Sequence, residues 1–238
     1  MVERAPKPET GLSRREALLM LGATLLAGPV SAQTSTPAPA CTVTPEQTEG
    51  PYFSDLMLNR ADIRSDPTDG TVKGGIPLTL MFRVLAVEGG KCAPLPGAIV
   101  DVWHCDAAGL YSDAADASFD TRGKKFLRGY QVTDASGTAR FTTIYPGSYP
   151  GRAVHVHFKV RTKAQSGHDA EFTSQLYFPD SINERVLASA PYARPRRQVP
   201  RNDSDSLFRR GGRLLMAEIA EAPRGGFNAR FDIGVVRV

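Results

Sequence analysis

The chain has 238 residues, of which 41% are hydrophobic and 23% are charged, and its formal net charge is +4. This length and composition fit a globular domain of medium size and exclude a wholly disordered chain. The net charge is too small and too dispersed to indicate nucleic acid as a partner. A single apolar run, at the N-terminus, approaches the length of a membrane span, which excludes a polytopic membrane protein.

Residues 1–32 have the features of a signal peptide. Arg14 and Arg15 precede an apolar run over residues 17–30, and a small-x-small cleavage motif ends at Ala32. The paired arginines favour the twin-arginine route of export. An uncleaved membrane anchor is the alternative, and the short apolar run with its Gly-Pro end argues against it. We therefore expect an exported protein, periplasmic or extracellular, with no stable membrane insertion after cleavage.

Residues 33–43 are rich in Pro, Ser and Thr, which is typical of an extended linker, and residues 44–238 form the predicted folded domain. The chain after the signal peptide keeps three cysteines, Cys41, Cys92 and Cys105. An oxidising compartment permits a disulfide, and the odd number leaves one thiol over. Cys92 and Cys105 flank a predicted strand about 20 Å long, which puts them out of each other's reach. A bond from Cys41 to either one is therefore favoured.

Short apolar runs alternate with turn residues along the predicted domain. The pattern predicts strands over residues 77–87, 98–103, 126–132, 138–144, 154–160, 172–178 and 229–236. It also predicts a short helix over residues 179–187 and a strand or short helix over residues 213–220. Many short strands bounded by Gly and Pro turns are typical of a sandwich. We therefore predict an all-β fold, a single-domain antiparallel β-sandwich with long loops.

Two histidines are spaced for metal binding. His155 and His157 are two residues apart in a predicted strand, so their imidazoles project from the same face. This arrangement suits two ligands of one metal ion, because imidazole is a common metal ligand. The alternative is a pair of surface histidines on a strand.

A loop rich in Pro and Gly, residues 145–152, directly precedes these histidines and carries Tyr145, Tyr149 and Arg152. Pro and Gly form tight turns that can fold such a loop back over the strand. A second loop leaves a strand end and carries Tyr111, and such loops frequently bear functional side chains. The alternative is a set of packed surface loops with structural tyrosines.

The chemistry of these side chains suits iron(III). Phenolate is a hard, anionic oxygen ligand, and hard ligands favour Fe(III) over Cu(I) or Zn(II). A bound cation also lowers the pKa of a phenol from about 10, so the ligand form exists near neutral pH. No Asp or Glu occurs between Ile144 and Arg161, which argues against an Fe(II) site of two histidines and one carboxylate.

Six segments of the chain, in this order, resemble the intradiol ring-cleavage dioxygenases. They are Thr48–Phe53, Pro96–Tyr111, Arg128–Asp134, Tyr145–Tyr149, Arg152–Phe158 and Ser174–Phe178. The resemblance runs from about Thr44 to the C-terminus and is strongest with exported, short-form members, which lack the N-terminal helical segment of the catechol-cleaving enzymes. Only five residues separate Tyr149 from His155. Protocatechuate- and catechol-cleaving members have a longer insertion here, which leaves the substrate open.

This resemblance implies a non-haem Fe(III) cofactor on a β-sandwich and no organic cofactor. The matching motifs put the metal ligands at Tyr111, Tyr149, His155 and His157. Tyr149, as a displaceable ligand, would act in catalysis together with Arg152 and Gln175. Tyr52 and Arg152 would contact the substrate. The implied partners are a small aromatic diol and O2, and the implied reaction cleaves the ring between its two hydroxylated carbons to a muconate-type diacid. An oligomer is possible.

Two other functions stay open from the residues alone. The segments Pro94–Ala98 and Thr133–Gly137 also resemble transthyretin-like modules of surface proteins, which would make the chain a non-catalytic exported binding module. The histidine pair could instead hold copper or zinc in a metal-scavenging protein. Neither alternative explains why Tyr149 and Arg152 accompany the histidines.

Other polar features are less specific. His104 could line the pocket or be a structural histidine, and His168 falls in a predicted solvated turn. The basic stretch from Arg194 to Arg213 contains Asp203 and Asp205, so a solvated loop is favoured over a nucleic-acid surface. The stretch could also steer anionic aromatics toward the site.

Overall fold

The computed structural model describes Met1 and residues 42–117, 119–163, 169–193 and 200–236. The chain divides into two units, residues 1–37 and 38–238. The predicted signal peptide, most of the linker, Cys41 and His168 fall outside the described residues. Among the residues that are described, no helix is long and apolar enough to cross a membrane.

Strands dominate the described part of the second unit. In chain order its elements are β1 (Pro77–Glu88), β2 (Lys91–Pro94), β3 (Ile99–Trp103), β4 (Ala115–Asp116), β5 (Phe119–Asp120), β6 (Arg128–Val132), β7 (Thr138–Ile144), β8 (His155–Lys163), β9 (Asp169–Tyr177), α1 (Asp180–Leu187), β10 (Glu218–Glu221) and β11 (Phe227–Val236). One sheet has the order β10-β11-β1-β2, with β7 also paired to β1, and the other has the order β6-β3-β8-β9. The short strands β4 and β5 form a separate hairpin.

The two sheets share one apolar core. Leu80 and Phe82 of β1 are fully buried in the same cluster as Val156 and Phe158 of β8. Successive side chains of a strand point to opposite faces, so the alternate residues of β8 project from the outer face of their sheet. Loops and the segment before β1 cover this outer face, and the predicted histidines lie beneath them.

The predicted all-β sandwich is confirmed, and most predicted strands differ from the observed ones only at their ends. The predicted strand at 126–132 begins instead at Arg128, because Leu127 has a positive φ of 54° that breaks the extended run. The segment predicted as strand or helix over 213–220 contains a 3-10 turn at Gly212–Leu214 followed by β10.

One strand pair differs from the antiparallel prediction. β11 runs parallel to β1, with Leu78 beside Phe227 in register. Two parallel strands need a long connection between them, and here that connection is most of the domain. The short turns that mark antiparallel neighbours in the sequence therefore cannot predict this pair.

The state of the cysteines agrees with the expectation that Cys92 and Cys105 are too far apart to form a disulfide. Cys92 lies in β2 and is disulfide-bonded. Cys105 is buried in the thiol form, and its Sγ is 3.5 Å from the carbonyl oxygen of Gly147. The excluded bond between Cys92 and Cys105 is therefore not formed.

Candidate metal centre

Strand β8 presents two imidazoles on its covered outer face. The Nε2 atoms of His155 and His157 are 3.1 Å apart, and both side chains are buried. The Nδ1 atom of His155 donates to the carbonyl oxygen of Ala153 at 2.7 Å. A carbonyl only accepts, so Nδ1 carries the proton and Nε2 is left with its lone pair directed into the site. The ring of His157 is stacked on Trp103 of the neighbouring strand, with ring centroids 5.0 Å apart.

Two phenols converge on the same point. The hydroxyl oxygens of Tyr111 and Tyr149 are each 3.2 Å from Nε2 of His155. Tyr111 comes from the loop after β3, and Tyr149 comes from the loop between β7 and β8. Residues from two loops and one strand therefore bring two oxygen and two nitrogen donors together.

This donor set fits a hard metal cation. Burial lowers the pKa of His155 to about 3 and that of His157 well below its usual value, so both imidazoles are neutral, as metal ligands must be. Burial raises the pKa of Tyr149 to about 12 and that of Tyr111 well above its usual value. A cation between the two Nε2 atoms and the two hydroxyl oxygens would remove the repulsion between the nitrogen lone pairs and would stabilise the phenolate forms of the tyrosines.

The tyrosines are essential to any such site. Within the described ranges, no group of three or more His, Cys, Asp or Glu side chains could hold a metal ion. Two histidines alone provide too few ligands for a closed site, so the phenols must complete the set.

Arg152 lies beside the four donors. Its Nε donates to Oδ2 of Asp205 at 2.9 Å, and one terminal nitrogen donates to the hydroxyl of Tyr149 at 3.3 Å. The other terminal nitrogen donates to Oε1 of Gln175. Burial lowers the pKa of Arg152, but Tyr149 and Asp205 together raise it above the usual value, so a fixed positive charge stands at the site.

Gln175 holds this arginine from β9. It is fully buried and lies directly opposite His157 in the register of β8 and β9. Its Nε2 donates to the carbonyl oxygen of Thr48 at 2.9 Å, which leaves Oε1 to accept from Arg152. The hydroxyl of Tyr177 lies 3.2 Å from the same Oε1, so these contacts together set the orientation of the amide.

The segment 48–58, here called the strap, covers the histidines. Tyr52 of the strap is stacked on Tyr111 with ring centroids 4.6 Å apart, and its hydroxyl donates to Asp116 at 2.8 Å. Gly50 has a φ of +72°, and a Cβ placed on it would be 3.4 Å from His157. Tyr52, Tyr149 and Arg152 are only partly buried, so the site opens to solvent on their side.

Ion pairs fasten the strap to the sheet. Lys159 of β8 contacts Glu49 at 3.0 Å, and Arg161 of β8 contacts Asp55 at 3.2 Å. Arg161 also donates to Asp101 of β3 at 2.7 Å. The outer face of β8 is therefore chemically divided, with imidazoles at one end and strap-binding cations at the other.

The structure brings together all seven side chains that the sequence predicts at the site, namely Tyr52, Tyr111, Tyr149, Arg152, His155, His157 and Gln175. The ring nitrogens of His104 make their hydrogen bonds to other groups. Its ring nitrogens contact the carbonyl oxygen of Cys105 at 2.8 Å and the hydroxyl of Thr143 at 2.7 Å. Burial lowers the pKa of His104 to about 4, which agrees with the structural alternative.

The basic stretch was predicted to form a solvated loop, and Asp205 departs from that prediction because it is fully buried. Asp203 is exposed and pairs with Arg213 at 3.0 Å, as expected for a solvated basic loop. Asp205 is fully buried against Arg152. The sequence holds a weak signal of this burial, since the apolar residues Leu207 and Phe208 lie two and three positions after Asp205 and favour an anchored turn. Residues 194–199 of the basic stretch are outside the described ranges.

Fold and donor set together define a class of protein: an all-β sandwich in which two imidazoles and two phenols converge on the outer face of one sheet, a donor set that fits a single hard metal ion. Comparison with known proteins narrows this class. A dioxygenase family model matches residues 48–199. The chain is 36% identical over 126 residues to a protocatechuate 3,4-dioxygenase beta chain from Burkholderia cepacia, covering 48% of this chain and 51% of that protein.

A chlorocatechol 1,2-dioxygenase from Pseudomonas putida is 30% identical over 192 residues, covering 71% of this chain and 65% of that protein. The chain therefore spans between about half and two thirds of the length of these two relatives. An intradiol ring-cleavage dioxygenase from Tetranychus urticae has the same fold, with a TM-score of 0.71 and 28% identity, over 83% of this chain and 96% of that chain. The chain belongs to the intradiol ring-cleavage dioxygenase family.

Proposed function

We propose that the protein is a non-haem Fe(III) dioxygenase that cleaves a catechol-type ring between its two hydroxylated carbons with O2 and forms a muconate-type diacid. The observation that carries this proposal is the convergence of the Tyr111 and Tyr149 hydroxyls on the His155 and His157 imidazoles, beside the cation of Arg152. Membership of the dioxygenase family supports it, as do the relatives named for protocatechuate and chlorocatechol.

Tyr111, Tyr149, His155 and His157 would hold the iron. The iron would supply Lewis-acid chemistry, which would make the ring carbon of a catechol dianion reactive toward O2. Tyr149 is the partly exposed phenol of the pair, so its oxygen is placed to accept a proton from an incoming substrate hydroxyl.

Arg152 and Gln175 would act on the charge of the substrate. The guanidinium is fixed by three side chains, so it stabilises negative charge near the hydroxyl of Tyr149 without reorganising during the reaction. The aromatic ring of Tyr52, stacked on Tyr111 at the open side, provides an apolar wall against which a substrate ring would pack.

The experiment that tests this proposal measures O2 uptake by the iron-loaded protein with catechol, protocatechuate, hydroxyquinol and larger plant-derived catechols as substrates. Product mass after reaction in 18O2 should show both labelled atoms at the bond between the hydroxylated carbons. Cleavage beside that bond would contradict the proposal. A colourless protein with stoichiometric zinc or copper would favour the metal-scavenging alternative, and a protein without metal or O2 uptake would favour the binding module.

We also propose that the chain is exported by the twin-arginine route to the periplasm or the exterior. Replacing Arg14 and Arg15 together by lysine should retain the precursor inside the cell, because the paired arginines are the recognition element of that route. Cell fractionation and immunoblotting would test this, with Arg4→Lys as the matched control. Unchanged processing of the double variant would refute the route.

A further inference from the structure

We propose that Asp205 is a positioning residue, which holds the guanidinium of Arg152 and the peptide of Ala153 in place relative to the metal ligands. The inference rests on the proposed function and extends it to a segment beyond the residues 48–199 that the family model matches.

The carboxylate of Asp205 has its hydrogen-bonding capacity filled. Its Oδ2 accepts from Nε of Arg152 at 2.9 Å and from the backbone N–H of Ala153 at 3.0 Å. Its Oδ1 accepts from the backbone N–H groups of Leu207 at 2.7 Å and Phe208 at 3.4 Å. A carboxylate offers about four lone-pair sites, so these four donors leave none for water or substrate. Asp205 therefore acts through Arg152 and Ala153.

Both contacts of Oδ2 lead to candidate ligands. Arg152, bound at its Nε, directs its two terminal nitrogens to the hydroxyl of Tyr149 and to Gln175. Ala153, bound at its N–H, uses its carbonyl oxygen to accept from Nδ1 of His155 at 2.7 Å. One buried carboxylate thus orients a cation beside one phenol and, through a single residue, one imidazole. Outer contacts of this kind set the orientation of metal ligands.

The segment that carries Asp205 is held by contacts independent of this carboxylate. Gln47 donates from Nε2 to the carbonyl oxygen of Leu207 at 2.9 Å. The ring of Phe208 packs edge-on against Tyr177 with centroids 5.1 Å apart. A variant that loses the carboxylate therefore keeps the segment docked and releases only the two groups held by Oδ2, the guanidinium of Arg152 and the peptide of Ala153.

The test compares Asp205→Asn with Asp203→Asn in the iron-loaded protein. Asn keeps the volume and an acceptor for the N–H of Leu207, but its amide hydrogens would confront Arg152. Asp203 is two residues away and exposed, with its ion pair to Arg213 in solvent, so it is the matched control. We measure iron content, melting temperature, kcat and KM on the catechol cleaved fastest, and anaerobic binding of 4-nitrocatechol from its absorption spectrum.

We expect Asp205→Asn to keep its iron and to lose about 10- to 100-fold in kcat/KM, because misplacement of a catalytic group by about 1 Å costs that much. The spectrum of bound 4-nitrocatechol should shift, and Asp203→Asn should match the wild type. In an Arg152→Lys background, Asp205→Asn should cost clearly less than in the wild-type background, since the guanidinium is already gone and only the contact with the peptide of Ala153 remains to be lost.

Equal losses from Asp205→Asn in both backgrounds, or an unshifted 4-nitrocatechol spectrum, would show a merely structural role and overturn the inference. If the wild type cleaves a catechol and Asp205→Asn cleaves it equally well, the positioning role fails while the proposed function stands. If the wild type binds iron but cleaves no catechol, or binds no iron, the proposed function fails and the positioning role fails with it.

Discussion

Two tyrosines four residues apart in the loop before β8 have different surroundings. Tyr145 is fully buried in the sandwich core, where its hydroxyl donates to Asn183 at 2.6 Å. Tyr149 points to the opposite side of the loop, toward Arg152 and His155. The same side chain thus serves packing at one position and the candidate metal centre at the other.

Replacing Tyr149 by Phe should change the colour of the iron-loaded protein. Phenolate bound to iron(III) absorbs visible light, and under the proposed function the variant would lose one of its two phenolate ligands. Visible absorption spectra at equal iron content would measure this. The control is Tyr145→Phe, which should keep the spectrum and lose about 1 kcal/mol of stability with its hydrogen bond. Identical spectra for the wild type and Tyr149→Phe would contradict the ligand role.

Asp101 should make stability depend on pH. Burial raises the pKa of this carboxyl from 3.8 to about 6 although Arg161 opposes the shift. Its charged neighbours are Asp55, Lys159, Arg161 and Glu171. The folded protein then holds the proton more tightly than the unfolded chain does, so this contribution is full below about pH 4 and is lost as the pH rises to about 6.

Asp101→Asn imitates the protonated form at every pH. The wild type should lose stability relative to this variant between pH 4 and 6 and show a constant difference above that range. Urea unfolding at intervals across the range would measure it. A difference that changes in the opposite direction would show that the attraction of Arg161 outweighs burial.

Individual site residues were predictable where a motif or spacing marked them. The alternation of His155 and His157 in a strand, and the Tyr-Pro-Gly loop before them, indicate a common face without any structure. Asp205 carries only the weak mark of the apolar residues after it, because its burial depends on the docking of its segment against Tyr177 and Gln47, which are distant in sequence. Contacts between segments far apart in sequence leave little local pattern.

At the scale of elements, the two loops that carry the tyrosines are locked to each other. The backbone N–H of Gly147 donates to the carbonyl oxygen of Asp106 at 3.2 Å. A Cβ on Gly147 would collide with that oxygen and lie 2.8 Å from the carbonyl oxygen of Ala107. The absence of a side chain at residue 147 therefore allows Tyr111 and Tyr149 to meet.

Gly147→Ala should separate these loops and, under the proposed function, abolish stoichiometric iron binding. Backbone atoms cannot yield as a flexible side chain can, so about 1–3 kcal/mol of stability should be lost as well. Iron content after reconstitution and thermal unfolding would measure both effects. Gly151→Ala in the same loop is the control: it meets open space and adds only the strain of its φ of +82°, about 1 kcal/mol. Full iron binding by Gly147→Ala would refute the locking role.

Most elements follow from local patterns, and the exceptions have physical reasons. The long strands β1 and β8 were predictable because alternating or continuous apolar runs extend over them. The hairpin of β4 and β5 has two residues per strand, too few for any periodicity to appear. The parallel pairing of β11 with β1 joins two strands that most of the domain separates in sequence. The side-chain pattern of either strand does not encode which distant strand it pairs with.

At the scale of the whole molecule, the beginning and end of the described domain are joined. The backbone N–H of Thr44 donates to the carbonyl oxygen of Gly234, and the hydroxyl of Thr44 accepts from the N–H of Gly234 at 2.8 Å. Three residues further on, Gln47 donates to Leu207 and accepts from the hydroxyl of Tyr177 at 2.8 Å. Residues 44–47 thus link β11 to Tyr177 of β9 and to the segment that carries Leu207.

Gly234→Ala should displace this N-terminal segment and destabilise the domain by about 1–3 kcal/mol, because a Cβ there collides with the backbone of Thr42. Denaturant unfolding gives the free energy, and hydrogen exchange at residues 42–47 should increase. Gly225→Ala, in open space between β10 and β11, is the control and adds only local backbone strain. Unchanged exchange at residues 42–47 would contradict this linkage.

The alternation of side chains along β8 gives a way to measure how many molecules have folded with the correct strand register. Val156 and Phe158 face the interior while His155 and His157 face the cover. A slip of one residue against β3 would turn every side chain to the opposite face, burying imidazoles among apolar groups and presenting valine to the tyrosines. Such a molecule would keep its strand content and its far-ultraviolet circular dichroism. Under the proposed function its iron would be absent, so colour per mole of protein counts the molecules whose strands are paired in the correct register.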